Sequence, residues 1–359
     1  MTLERSSIPV TANPTLEITL HEKLRRRAER AGSLGELEAL AVRLALVRGT
    51  AQPRFESPQL VVMAADHGIA VEGIGAGARH STAQVVASLL NGELPLSAFA
   101  ERSALALTIV DSGVAAGVSA HPRLLARKIA HGTRNARVGA AMSVDAARAA
   151  LRAGLEIAEA LPGDAVACAG IGVGAYESAA LIFARLSNAK LRDLVSPAPG
   201  MRQDQLAGAL MVLQAATVRH RELTDPVEVL AAVGGFEVAM LAGLMLGSAA
   251  KRRLIIADGL PAYAALLVAS RIAPAVADYA VFSRSQTRTG LNVALAEFGS
   301  TALLELGLDT VDGTGATLAW PLLASAAALL SNVADGDDGM TSPPGPDSAW
   351  QDSRQREPR

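Results

Sequence analysis

The sequence predicts an α/β fold, a parallel sheet with helices on both faces. Three observations carry this. Short apolar runs unbroken by polar alternation recur at 60–65, 105–110, 164–169, 253–257 and 279–282. Each run ends in Gly, Asp or Ser: Asp66-His67-Gly68, Asp111-Ser112-Gly113, Gly170-Ile171-Gly172, Asp258-Gly259 and Ser283-Arg284-Ser285. Alanine-rich stretches of helical spacing separate them, at 141–160, 205–219 and 227–250. In such sheets ligands bind at the carboxyl ends of the strands, where these polar loops collect.

Ahead of the first strand, residues 16–24 and 34–47 repeat Leu and Ala at three- and four-residue spacing. Two helices are expected there. Ser33 and Glu36 have the spacing of a capping box opening the second. The stretch 230–250 is apolar enough to suggest a membrane span, but it holds Gly234, Gly235 and Glu237. A carboxylate near mid-span costs a few kcal/mol, so a buried helix is expected instead. From residue 335 onward Asp, Gly, Pro, Ser and Arg dominate, which predicts a disordered tail.

Composition narrows the function. The 359 residues suffice for one large domain or two smaller ones. Lys+Arg 33 against Asp+Glu 35 leaves a formal charge of -2, and aromatics make up 3%. Neither a basic footprint nor stacking platforms for nucleic acid follow from this, and no attraction to an anionic membrane. Cys168 is the only cysteine, so disulfides and cysteine-rich zinc sites are excluded. It reads as a buried strand residue. The N-terminus lacks the pattern of a signal peptide, and a cytoplasmic protein is expected.

None of the six histidines forms an HExxH or similar pair, so no metal is expected. Asp66-His67-Gly68 reads as a turn in which Gly68 supplies a positive φ. Lys128 and Arg134 read as a solvated or structural charge pair. Gly170-Ile171-Gly172-Val173-Gly174 follows a strand and precedes a helix starting near Tyr176. Its sixth position is Ala175, and no acidic residue follows at the expected strand end, so it departs from the dinucleotide fingerprint. It implies close approach of a ligand or a packed helix, and amides opening that helix can receive an anion. Asp312-Gly313-Thr314-Gly315 reads either as an ordinary turn or as a carboxylate held over a pocket to take a proton from an N–H.

The order of these pieces resembles a known family. The series runs from Met63-Ala64-Ala65-Asp66-His67-Gly68 through Gln84, Val110-Asp111-Ser112-Gly113 and Lys128-Ile129-Ala130-His131-Gly132-Thr133. It continues with Gly170-Ile171-Gly172, Gly234-Gly235-Phe236-Glu237, Asp258-Gly259 and Asp312-Gly313-Thr314-Gly315-Ala316. Together they resemble nicotinate-nucleotide–dimethylbenzimidazole phosphoribosyltransferases, across about residues 17–333. The resemblance implies a Rossmann-like α/β domain at 56–320 and a small helical domain formed by 1–55 with a C-terminal helix at 321–334, before a tail at 335–359. It further implies a homodimer and no cofactor. The implied reaction moves phosphoribose from nicotinate mononucleotide to 5,6-dimethylbenzimidazole or a related aromatic base, giving α-ribazole phosphate and nicotinate.

The resemblance carries residue roles with it. Asp312 stands at the family's catalytic glutamate and is shorter by roughly 1.5 Å. Asp258 matches an aspartate of the active site, and Gln84 a glutamine beside the base. Gly75 and Gly77 replace a serine and a tyrosine of the base pocket. Gly170, Gly172 and Gly174 fall on the nucleotide loop, where Cys168 replaces an acid. Ser196-Pro197-Ala198-Pro199-Gly200 replaces the glycine-rich phosphate loop, and Ala209 stands where its lysine would be. Arg202, Arg284 and Arg288 are the candidate replacements as phosphate ligands. These losses leave a second expectation open, a catalytically degenerate paralogue acting as a partner subunit or a base-binding protein.

Overall fold

The computed structural model describes residues 8–74, 80–195, 201–285 and 290–333. Gly75, Gly77, the segment 196–200, Arg288 and the tail after residue 333 therefore lie outside the described residues.

Two helices open the chain. Helix α1 (Pro14–Ala31) starts at Asn13, whose side chain accepts the Leu16 N–H at 3.1 Å. Helix α2 (Glu36–Arg48) does not open with the expected Ser33–Glu36 box. Gly35, at φ 57°, is its cap, and Ser33 Oγ takes the Gly35 N–H instead.

Among the described residues seven parallel strands form one sheet, in the order β3-β2-β1-β4-β5-β6-β7. Strands β1 (Gln59–Ala65), β2 (Ala106–Gly113) and β3 (Leu124–Ala126) make one half. The other half is β4 (Ala165–Ile171), β5 (Leu254–Asp258), β6 (Ala280–Arg284) and β7 (Ala302–Leu304). The five long strands match the five apolar runs, and β1, β4, β5 and β6 are buried at every residue, as expected of a sheet covered on both faces. The three-residue edge strands β3 and β7 are too short to show as apolar runs. Between β1 and β4 the direction of strand succession reverses, and a crevice opens there at the carboxyl ends.

Helices α3 (Thr82–Leu90) and α4 (Pro95–Arg102) follow β1. Helix α5 (Val144–Ala160) precedes β4, and α6 (Ala175–Leu186), α7 (Leu191–Leu194) and α8 (Gln203–Arg219) follow it. The single apolar stretch expected before β5 is two helices, α9 (Pro226–Val233) and α10 (Phe236–Ala250), parted at Gly234-Gly235. A Cβ on Gly235 would lie 2.2 Å from the His67 ring and 2.3 Å from the Glu237 carboxylate, so no side chain fits at the break. Every residue of α10 from Phe236 to Ala249 is buried, which accounts for its apolarity without a membrane.

Helices α11 (Leu260–Ile272) and α12 (Leu291–Glu297) flank β6, and α13 (Thr314–Ser331) ends the described chain. Helix α13 begins seven residues before the boundary implied by the resemblance, because Gly313, at φ 101°, turns the chain straight out of the Asp312 loop. Its far end joins the N-terminal helices, where Lys23 Nζ donates to the Leu330 carbonyl at 2.9 Å; nearer its start, Trp320 packs edge-on against Phe55 of the loop between α2 and β1.

Helices α5 and α10 touch backbone to backbone. A Cβ on Gly154 would meet the Met240 carbonyl oxygen at 1.9 Å, and one on Gly243 the Leu151 oxygen at 2.0 Å. Neither obstacle can rotate away. Gly154→Ala should therefore cost about 1–3 kcal/mol as the helices are forced apart, read as a lower urea midpoint at unchanged slope.

Candidate active site

The crevice between β1 and β4 holds a cavity of about 540 Å³. Its walls come from the end of β4 with the turn into α6, the start of α3, and the loop before α13. Val85, Ile171, Val173, Ala175 and Val311 give it apolar surface, and Thr82, Tyr176, Thr310 and Asp312 give it polar groups.

Beneath it lies a network of buried charges. Arg284, at the end of β6, donates from Nε to Asp258 Oδ1 at 2.6 Å, from Nη2 to Asp312 Oδ1, and from Nη1 to the Leu308 carbonyl at 2.8 Å. Asp258, at the end of β5, uses its other oxygen to accept the Gly313 N–H at 2.7 Å and the Ala316 N–H at 3.2 Å. Those amides belong to the first turn of α13, where a carboxylate offsets the helix dipole. Tyr176, in the first turn of α6, donates its hydroxyl to Asp312 Oδ1 at 2.7 Å. Asp312 Oδ2 is buried with no hydrogen-bond partner among the described residues.

Burial pushes the Asp312 carboxyl up to about 7; the Arg284 guanidinium opposes the rise and Asp258 adds to it. Two carboxylates share one guanidinium here, so one negative charge has no counterpart in the dry interior. A carboxyl poised near neutrality beside an apolar cavity can accept and return a proton.

A second buried pair supports the cavity wall from behind. His67 Nε2 lies 2.8 Å from Glu237 Oε1, and both side chains are almost wholly buried. Burial disfavours the charged ring, and the Glu237 carboxylate outweighs that, holding the imidazole above its ordinary pKa. The backbone N–H of His67 donates to the Val173 carbonyl at 3.1 Å. Thr82 Oγ1 accepts the Val173 N–H at 3.0 Å and donates to Asp66 Oδ1 at 2.5 Å. The Asp66-His67-Gly68 turn thus holds the β4–α6 loop at both backbone groups of Val173. Gly68 does not take the positive φ expected of it; a Cβ there would collide with the Arg134 carbonyl carbon at 2.5 Å, so close approach is what requires glycine. Lys128 pairs with Asp111 at 3.2 Å rather than acting with Arg134.

The expected site residues distribute unevenly. Asp312, Gly170 and Gly172 line the cavity. Asp258 lies below it, fully buried. Gly174 caps α6 at φ 87°, against the His67 side chain. Gln84 is exposed on α3, and its side chain accepts the Ser81 N–H at 2.9 Å in a capping box, while its neighbours Thr82 and Val85 line the cavity. Arg202 is exposed at the start of α8 and paired with Asp204. Arg284 is not a free cation at the cavity as a phosphate ligand would be, because all three of its nitrogens are committed to protein groups. Sequence reasoning does not single out Tyr176 or Thr82 for chemistry. Their partners are distant in the chain, and no local pattern marks them.

Removing the shared guanidinium while leaving both acids buried should be costly. Arg284→Met is expected to lose about 3–5 kcal/mol of stability, measured by urea denaturation near neutral pH.

Comparison with known proteins agrees with this architecture. The family model described as Phosphoribosyltransferase matches residues 10–340. The nicotinate-nucleotide–dimethylbenzimidazole phosphoribosyltransferase of Cupriavidus necator is 40% identical over 324 residues, covering 89% of this chain and 92% of its own. The protein of the same name from Roseiflexus sp. is 35% identical over 315 residues, covering 86% and 89%. Among solved structures, CobT from Thermus thermophilus superposes with a TM-score of 0.82 at 32% identity, covering 88% of this chain and 96% of that one. By sequence and by fold, the chain belongs to the nicotinate-nucleotide–dimethylbenzimidazole phosphoribosyltransferase family.

Proposed function

We propose that this chain transfers phosphoribose from nicotinate mononucleotide to 5,6-dimethylbenzimidazole or a related aromatic base, releasing nicotinate and α-ribazole phosphate. The observation that carries the reading is Asp312, a buried carboxyl pushed up to about 7 at the wall of a largely apolar cavity. An azole there gives up its N–H proton, with Asp312 as the final acceptor, while its other ring nitrogen attacks the anomeric carbon. The bond from that carbon to nicotinate breaks, and its electron pair neutralises the pyridinium ring as nicotinate leaves. Holding both planar rings around one ribose removes most of the entropic barrier.

The remaining roles are assigned as follows. Asp258 orients Arg284 and the start of α13, and through them Asp312. The loop of Gly170, Gly172 and Gly174 carries the nucleotide's phosphoribose, with the α6 amides facing the phosphate. Arg202 and Arg284 contribute to phosphate binding only by leaving the carboxylates they now hold. Gln84, Gly75 and Gly77 border the base. The family resemblance supports a homodimer working in the cytoplasm.

The engagement of both arginines by carboxylates favours one second reading, a paralogue that binds an aromatic base without transferring phosphoribose. Calorimetry separates the two: tight nicotinate mononucleotide binding supports the transferase, and base binding alone supports the paralogue.

Asp312→Asn should leave the fold intact and reduce nicotinate release at least about 100-fold. The pH dependence follows from the raised pKa. Below about 7 the carboxyl is protonated and cannot accept the azole proton; above it the ionised form can. The kcat/KM for the base should therefore rise with pH through about 7 and level off, as followed by nicotinate release across roughly pH 5.5 to 9.

A further inference from the structure

We propose that Tyr176 is a catalytic residue that takes the proton from the acceptor heterocycle and passes its own hydroxyl proton to Asp312. The proposal deepens the transferase reading and rests on it.

Asp312 is only 3% exposed, and its carboxyl lies flat against Gly259. A Cβ on Gly259 would sit 2.2 Å from both Cγ and Oδ2, and 2.5 Å from Oδ1. Oδ1 already accepts from Tyr176 and Arg284, and Oδ2 is buried. A flat ring in the cavity therefore has poor direct access to either oxygen. Tyr176 is half-buried and lines the cavity, while its hydroxyl donates to Asp312 at 2.7 Å. A phenol that donates one hydrogen bond keeps lone pairs able to accept another. It thus bridges the space where the base would lie and the carboxyl beneath.

The step balances without a further reactant. The azole N–H bond breaks toward Tyr176 Oη as the Tyr176 O–H bond breaks toward Asp312 Oδ1. The azole's other nitrogen forms its bond to the anomeric carbon, and nicotinate departs with the electron pair of the bond it loses. Tyrosine ends neutral, Asp312 ends protonated, and that proton returns to solvent after product release. Burial, reinforced by the Asp312 charge, drives the Tyr176 hydroxyl well above its ordinary pKa, so it acts as a neutral relay and not as a stored phenolate.

Tyr176→Phe keeps the ring and deletes the relay oxygen. With nicotinate mononucleotide and 5,6-dimethylbenzimidazole in single-turnover assays, nicotinate release by the variant should fall at least about 100-fold. Nicotinate mononucleotide affinity by calorimetry should stay within about threefold, and in mixed H2O/D2O the wild type should give a curved rate plot, as two protons in flight require. A variant rate within about threefold of wild type overturns the relay and leaves the transferase reading standing. A rate loss matched by an equal loss of nucleotide affinity also overturns it, since the tyrosine would then be structural. Wild-type protein that releases no nicotinate with any azole refutes the transferase reading itself, and the relay with it.

Discussion

One arginine side chain ties the carboxyl ends of β5 and β6 to the loop that opens α13. Arg284 comes from β6, and its two acidic partners come from the end of β5 and from the loop that starts α13. Asp258 then grips the first amides of α13, and α13 carries the N-terminal helices at its far end. The same guanidinium thereby sets where the last helix begins and how the Asp312 carboxyl is presented. A buried charge cluster of this kind is a poor source of stability, because desolvation cancels most of its attraction. What it supplies here is a fixed geometry and a net charge imbalance. Burial, with one cation left facing two acids, is the physical reason the Asp312 carboxyl is pushed up to about 7.

The cavity's position follows from topology. Succession along the sheet reverses between β1 and β4, so the connections leaving those two strands diverge and leave a gap between them. The glycines at the end of β4 let its loop pack directly against its neighbours beside that gap. A Cβ on Gly172 would strike the Ala65 carbonyl oxygen at 1.7 Å, which means β1 and the β4 loop are in contact through backbone alone.

Much of this is legible in the chain, and the reason is local. Fully buried parallel strands leave unbroken apolar runs, and the loops after them concentrate the glycines and acids that a site needs. Asp258, Gly170 and Gly172 stand out on that basis, whereas Asp312 stands out as a glycine-flanked carboxylate and through the family resemblance. What escapes depends on tertiary partners. The helix break at Gly234-Gly235 answers to His67, and the glycine at 68 answers to the backbone around Arg134 rather than to its own φ. Arg284 looks free for an anion because no acid lies within five residues of it; its partners lie 26 and 28 residues away. Tyr176 meets Asp312 across 136 residues, and a tyrosine opening an apolar helix reads as core.

The double tether on Val173 has a mechanical consequence. Because its N–H is tied to Thr82 and its carbonyl to His67, the apolar wall after β4 cannot retreat by itself. A bulkier heterocycle pressing on that wall must drag the opening turn of α3 and the end of β1 with it, or be refused. Tolerance for ring size is thus governed by the stiffness of the Thr82 hydroxyl bridge, and loosening that bridge is a route to broader acceptor choice that leaves the Tyr176–Asp312 pair unaltered.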